Sequence, residues 1–179
     1  SNRSIRQTTA CAQWLYSTVH ESMKDEITIL RAAPADAAVV KALFRQIEAE
    51  SQPENPSAQD AAESGFDRSV SEFYFLPSES FWLLVARSAG KTVGYATLVR
   101  MPKADGRVAV LYLDELHVLR TYRRQGVASA LIREAVTIAQ EIKAWRLRLL
   151  VDPKNEAARH LYESVGFKLT EQIFCQKPI

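Results

Sequence analysis

"LYLDELHVLRTYRRQGVASALI" (residues 111–132) opens as an apolar, β-rich run, turns through a knot of arginines around one glycine, and continues as an apolar stripe at helical spacing. A strand passing into a helix through so short a turn is a hallmark of a mixed α/β domain. In such a turn the first N–H groups of the helix lack intrahelical partners, and the helix dipole adds partial positive charge, so an anion is favoured there. Gly126 lets the backbone come close to that anion, and small Ala128 keeps the next turn open. Arg123 and Arg124 supply forked cationic donors suited to phosphate oxygens.

Working upstream, "RVAVLYLDELHVL" (107–119) has the length and Val/Leu/Tyr content of a central, largely buried strand. "FWLLVAR" (81–87) and "TVGYATLVRM" (92–101) are strands joined by "SAGK" into a hairpin. "ITILRAA" (27–33) predicts a first strand, and "PADAAVVKALFRQIEAE" (34–50) a helix whose Pro34 and Asp36 suit its N-terminus. Residues 51–80 mix Pro, Ser and acids and predict loops around one short irregular helix, and the aromatic cluster that spans the end of this segment and the next strand, Phe73, Tyr74, Phe75, Phe81 and Trp82, favours a core role.

Downstream, Val127, Leu131, Ala135, Ile138 and Ile142 form one stripe of a helix reaching about Ala144. "WRLRLLV" (145–151) predicts a strand, "NEAARHLYESV" (155–165) a helix stopped by Gly166, and "FKLTEQIFCQ" (167–176) a last extended stretch holding Cys175. The expected fold class is α/β (α+β mixed): a central mixed, mostly antiparallel sheet of about six or seven strands, flanked by helices on both faces.

A chain of 179 residues, 47% hydrophobic and 25% charged, suits one domain with a well-buried core. Residues 1–22 are expected to be an N-terminal extension, either non-native or a short amphipathic helix carrying Cys11, Trp14, Leu15, Thr18 and Val19, with 23–179 as the single domain. A net charge of +2 is too small for a general nucleic-acid or membrane surface, so neither partner is expected. Cys11 and Cys175, with His20, His117 and His160, have no metal-ligand spacing, so no metal is expected. Without an apolar leader or a membrane-length run, the expected compartment is cytoplasmic.

Neither GxxxxGK[ST] nor GxGxxG occurs in a chain with six glycines, which disfavours a nucleotide-binding module. "RRQGVA" (123–128) instead fits the pattern [QR]-x-x-G-x-[GA] and resembles the pyrophosphate loop of the GNAT superfamily of N-acetyltransferases. Residues 111–132 resemble that family's fourth strand and third helix. "RLRLLVDPKNEAARHLYESVGF" (146–167) resembles its fifth strand and fourth helix, and the likeness runs from about residue 27 to the end.

The resemblance implies acetyl-CoA as co-substrate, slotted between splayed fourth and fifth strands, and direct acetyl transfer to a small-molecule amine, a small cationic one being favoured. The implied coenzyme contacts are Leu116, His117, Val118, Arg123, Arg124, Gln125, Gly126, Val127, Ala128, Asn155, Ala158 and Tyr162. Tyr162 would be the acid for the leaving thiolate, and the Val118 N–H the oxyanion donor. For the base, Asp114 and Glu115 are both candidates, with Glu115 favoured by its longer arm and His117 as a third.

Adjacent strand residues point to opposite faces, so only one of the two acids can meet the amine unless a bulge intervenes. Both could instead form ion pairs with Arg100 or Arg107. Asn155 also suits a plain helix N-cap. A homodimer is left open, and the alternative function is a non-catalytic coenzyme A-binding sensor. The eight acids between Glu48 and Glu79, against Arg68 alone, are what favour a cationic acceptor.

Overall fold

The two apolar, β-rich runs of 81–102 fold as a hairpin. In the computed structural model, which describes residues 26–51 and 78–178, β2 (Phe81–Ser88) pairs antiparallel with β3 (Lys91–Pro102). β1 (Thr28–Arg31) lies beside β2, and β4 (Ala109–Val118) beside β3, both antiparallel. β5 (Arg146–Arg148) joins β4 in parallel, giving the order β1-β2-β3-β4-β5. The parallel pair requires a crossover, and α2 (Val127–Glu141) supplies it.

Helices cover both faces. A 3₁₀ turn at Pro34–Asp36 leads into α1 (Ala37–Ser51), whose Val40, Leu43 and Phe44 bury against Leu83, Val85 and Tyr95. On the other face α2 packs Leu131, Ala135 and Ile138 against Leu84, Ala96, Leu98, Leu111 and Leu113, with Tyr162 of α3 (Glu156–Ser164) in the same core. Leu83 and Leu84 thus feed opposite cores, as a sheet covered on both sides dictates. Arg31 pins β1 to α2 through Glu134 at 2.8 Å and Glu141 at 2.7 Å, and these hydrogen bonds hold its guanidinium above its ordinary pKa.

The sheet has five strands among the described residues rather than six or seven. β5 stops at Arg148 because the chain leaves β4 there, and residues 167–178 pair with no strand, leaving Ile173 and Phe174 exposed. Cys175 is consequently a surface thiol. α2 ends a few residues before Ala144, where Lys143 adopts a left-handed φ of 52°. Of the aromatic cluster, Phe81 and Trp82 pack against the two cores, while Phe73, Tyr74 and Phe75 lie outside the described residues, as do the extension at 1–22 and the irregular helix expected near 51–80.

Candidate active site

β4 outruns its parallel neighbour. β5 pairs only with Val110, Leu111 and Tyr112, so residues 113–118 have β3 on one side and, among the described residues, no strand on the other. An antiparallel ladder turns the N–H and C=O of successive residues alternately toward and away from the partner. The Leu119 N–H donates to the Val93 carbonyl at 3.0 Å, which makes Gly94↔Val118 a non-hydrogen-bonded pair. The N–H and C=O of Val118, and of Leu116 two residues back, therefore face the open side, whereas those of His117 turn into the β3 ladder.

Gly94 sets how closely β3 and β4 approach at this point. A Cβ there would lie 2.7 Å from the His117 carbonyl oxygen, a backbone atom that can move only with β4 itself. Gly94→Ala is expected to cost about 1–3 kcal/mol of stability through this overpacking, read from the denaturation midpoint.

The turn after β4 is braced from three sides. Glu50, at the end of α1, accepts the Arg120 N–H at 3.0 and 3.1 Å, and the Arg120 guanidinium donates to the Glu50 carbonyl at 2.6 Å. Arg123 Nε donates to the Val118 carbonyl at 3.0 Å, and Gln125 Nε2 to the Thr121 carbonyl at 2.8 Å. Arg123 thus ties the loop to the strand end, leaving exposed Arg124 as the freer fork. Arg124 (φ 63°) and Gly126 (φ 87°) are both left-handed, which lets the backbone fold tightly ahead of Val127, the first residue of α2.

A bulge decides how the two acids are placed. Thr97 pairs with Glu115 and Leu98 with Leu113, so Asp114 is an extra residue on β4. Leu113 and Leu116 both face the α2 core, which leaves Asp114 and Glu115 together on the α1 side with Tyr112 and His117. The Glu115 N–H donates to Thr97 Oγ1 at 3.1 Å, and Tyr95 Oη donates to Glu115 Oε2 at 3.2 Å.

The Asp114 charge and burial push the Tyr112 hydroxyl above its ordinary pKa, burial being the larger cause. Neither acid pairs with Arg100 or Arg107: Arg107 bonds Asp105, and Arg100 Nε is buried without a partner. Tyr95 and Thr97 carry no signal of this role in the sequence, because a tyrosine and a threonine in an apolar strand look like core filling. The cross-strand register, once the bulge is known, brings both to Glu115.

Tyr162 is 8% exposed on α3, edge-on to Phe167 at 5.7 Å, and its hydroxyl bonds to no described residue. Burial raises its pKa, so it stays protonated through neutral pH. Asn155 caps α3, its Oδ1 accepting the Ala158 N–H at 3.1 Å. Among the described residues no group of three or more His, Cys, Asp or Glu could hold a metal ion, and no helix is long and apolar enough to cross a membrane.

The chain is similar to known proteins in sequence and in fold. An uncharacterized N-acetyltransferase of Mycobacterium tuberculosis is 37% identical over 87 residues, 49% of this chain and 53% of the relative. Human N-acetyltransferase 8 is 35% identical over 94 residues, 52% of this chain and 40% of the relative. The chain thus spans about half the length of the curated relatives it matches. Among solved structures, AAC(6')-Iy in complex with the bisubstrate analog CoA-S-monomethyl-acetylneamine superposes with a TM-score of 0.65 at 17% identity, over 86% of this chain and 99% of that one, which shows a common fold. The model of the acetyltransferase (GNAT) family matches residues 41–167, well over half of the chain, and the protein belongs to that family.

Proposed function

We propose that the protein transfers the acetyl group of acetyl-CoA directly to a primary amine. The observation that carries this reading is the bulge at Asp114, which sets two carboxylates side by side next to a strand edge that pairs with no strand among the described residues. Acetyl-CoA would enter that opening with its thioester beside Leu116 and Val118, and its pyrophosphate on the 123–128 loop at the N-terminus of α2. Arg124 and the N–H groups of the Gly126–Ala128 turn then supply the charge and donors an anion needs. Asn155 and Ala158, joined by the cap at the start of α3, would line the coenzyme's path. The aminoglycoside acetyltransferases among the proteins of similar fold and the paired acids together support a small cationic acceptor.

An alkylammonium with a pKa of about 10 must lose a proton before it can attack. Glu115 or Asp114 takes that proton, and the nitrogen lone pair adds to the thioester carbonyl. The Val118 N–H faces the developing oxyanion. When the tetrahedral intermediate collapses, the carbon–sulfur bond breaks with its electron pair on sulfur. Tyr162 gives its proton to that thiolate and is reprotonated, through solvent, by the second proton that leaves the adduct nitrogen, while the carboxylic acid of Glu115 or Asp114 releases the first proton to solvent.

Tyr162→Phe is expected to lower kcat by about tenfold or more while leaving acetyl-CoA affinity nearly unchanged, since the ring and its packing on Phe167 stay. Steady-state kinetics with calorimetry checks this, and an unchanged kcat with chemistry rate-limiting would reduce Tyr162 to packing. Direct transfer also predicts no acetylated protein when acetyl-CoA is supplied without an amine, as intact-protein mass spectrometry would read.

A further inference from the structure

We infer that Tyr95 is a positioning residue that makes Glu115, rather than its neighbour Asp114, the base for the amine. The inference rests on the acetyl transfer proposed above and assigns a role to a side chain that packing alone would not explain. Tyr95 is 6% exposed, and its ring is fixed on both sides. Phe44 of α1 meets it edge-on at 4.5 Å, and His117 of β4 stacks on it at 5.4 Å with an interplanar angle of 16°. A ring held this way has one freedom left, the hydroxyl torsion, and the hydroxyl donates to Glu115 Oε2.

Glu115 is thereby held at two points. Its N–H is fixed on Thr97 Oγ1 and one carboxylate oxygen on Tyr95, which leaves Oε1 to accept a proton from the acceptor. Asp114, on the same face, makes no hydrogen bond or ion pair with any described residue, and its shorter arm starts from the crest of the bulge. Holding a general base in reach of its proton is worth more than its presence alone, because a freely rotating carboxylate samples the productive geometry only part of the time. The apolar run that buries Tyr95 therefore also orders the catalytic carboxylate, and Phe44 links α1 to that order.

The test compares wild type, Tyr95→Phe, Glu115→Gln and the double variant, using acetyl-CoA with spermidine and with kanamycin, and reads kcat, acceptor KM and acetyl-CoA affinity. Tyr95→Phe keeps the ring between Phe44 and His117, so the thermal midpoint is expected to stay close to wild type. The expected result is a kcat loss of about tenfold with acetyl-CoA affinity unchanged, and no more than about a twofold further loss when Tyr95→Phe is added to Glu115→Gln, because the two act as one unit. Wild-type kcat in Tyr95→Phe, or the same loss repeated on the Glu115→Gln background, would overturn the inference while leaving acetyl transfer intact. Wild-type protein that acetylates neither amine would overturn both together.

Discussion

Gly126→Asp is expected to lower acetyl-CoA affinity by at least about 100-fold, or roughly 2.7 kcal/mol. The reason is electrostatic more than steric. A Cβ at this position would meet only Ile27 Cδ1, at 3.9 Å, so there is space for a side chain. Two other penalties remain. At φ 87° an L-residue is strained by about 1–2 kcal/mol, and a carboxylate placed where the pyrophosphate should lie repels it and competes for the donors of the turn. Gly126→Ala separates these effects, since it brings the strain without the charge, and its loss is expected to be about tenfold or less. Calorimetric titration with acetyl-CoA measures both, and equal affinities for the Asp and Ala variants would remove the pyrophosphate from this loop.

Glu115→Gln is expected to lower kcat/KM for the amine by about 100-fold or more, the range typical of a lost general base. Asp114→Asn should cost less than about tenfold, because Asp114 contributes charge near the amine without accepting its proton. The contrast is sharp because the bulge places both acids on one face, so position alone does not distinguish them. What differs is the hydrogen bonding: Tyr95 and Thr97 hold Glu115, and no described residue holds Asp114. Acetyl-CoA affinity should stay near wild type in both variants, since neither side chain lies on the α2 side of the sheet. A larger loss in Asp114→Asn would exchange the two roles.

The hairpin of β2 and β3 is legible in the sequence because burial on both faces leaves near-continuous apolar runs around a glycine turn, and the stripe Val127, Leu131, Ala135, Ile138 because burial on one face leaves a helical period. The loop at 123–128 is legible for a different reason: a glycine and adjacent cations before a helix are chemistry, and chemistry shows in residue identity. The bulge is not. "LDEL" is the same string whether or not one residue is squeezed out of register, and only pairing with Thr97 and Leu98 reveals it.

"WRLRLLV" and "FKLTEQIFCQ" have strand composition, yet strand formation needs a partner edge. The divergence of the chain from β4 after Arg148 denies it to the first, and residues 167–178 find no edge at all. Arg123 illustrates a subtler limit. Its charge suits phosphate, but its Nε is committed to the Val118 carbonyl, a contact five residues back along the chain that depends on how the turn closes.

The most direct measurement is release of the coenzyme A thiol from acetyl-CoA with and without a primary amine, with the amine recovered and its mass determined. Acetyl transfer predicts thiol release that depends on the amine, saturates with it and matches the acetylated amine mole for mole. Binding of acetyl-CoA without amine-dependent thiol release, across polyamines, aminoglycosides and lysine-like amines, would contradict it.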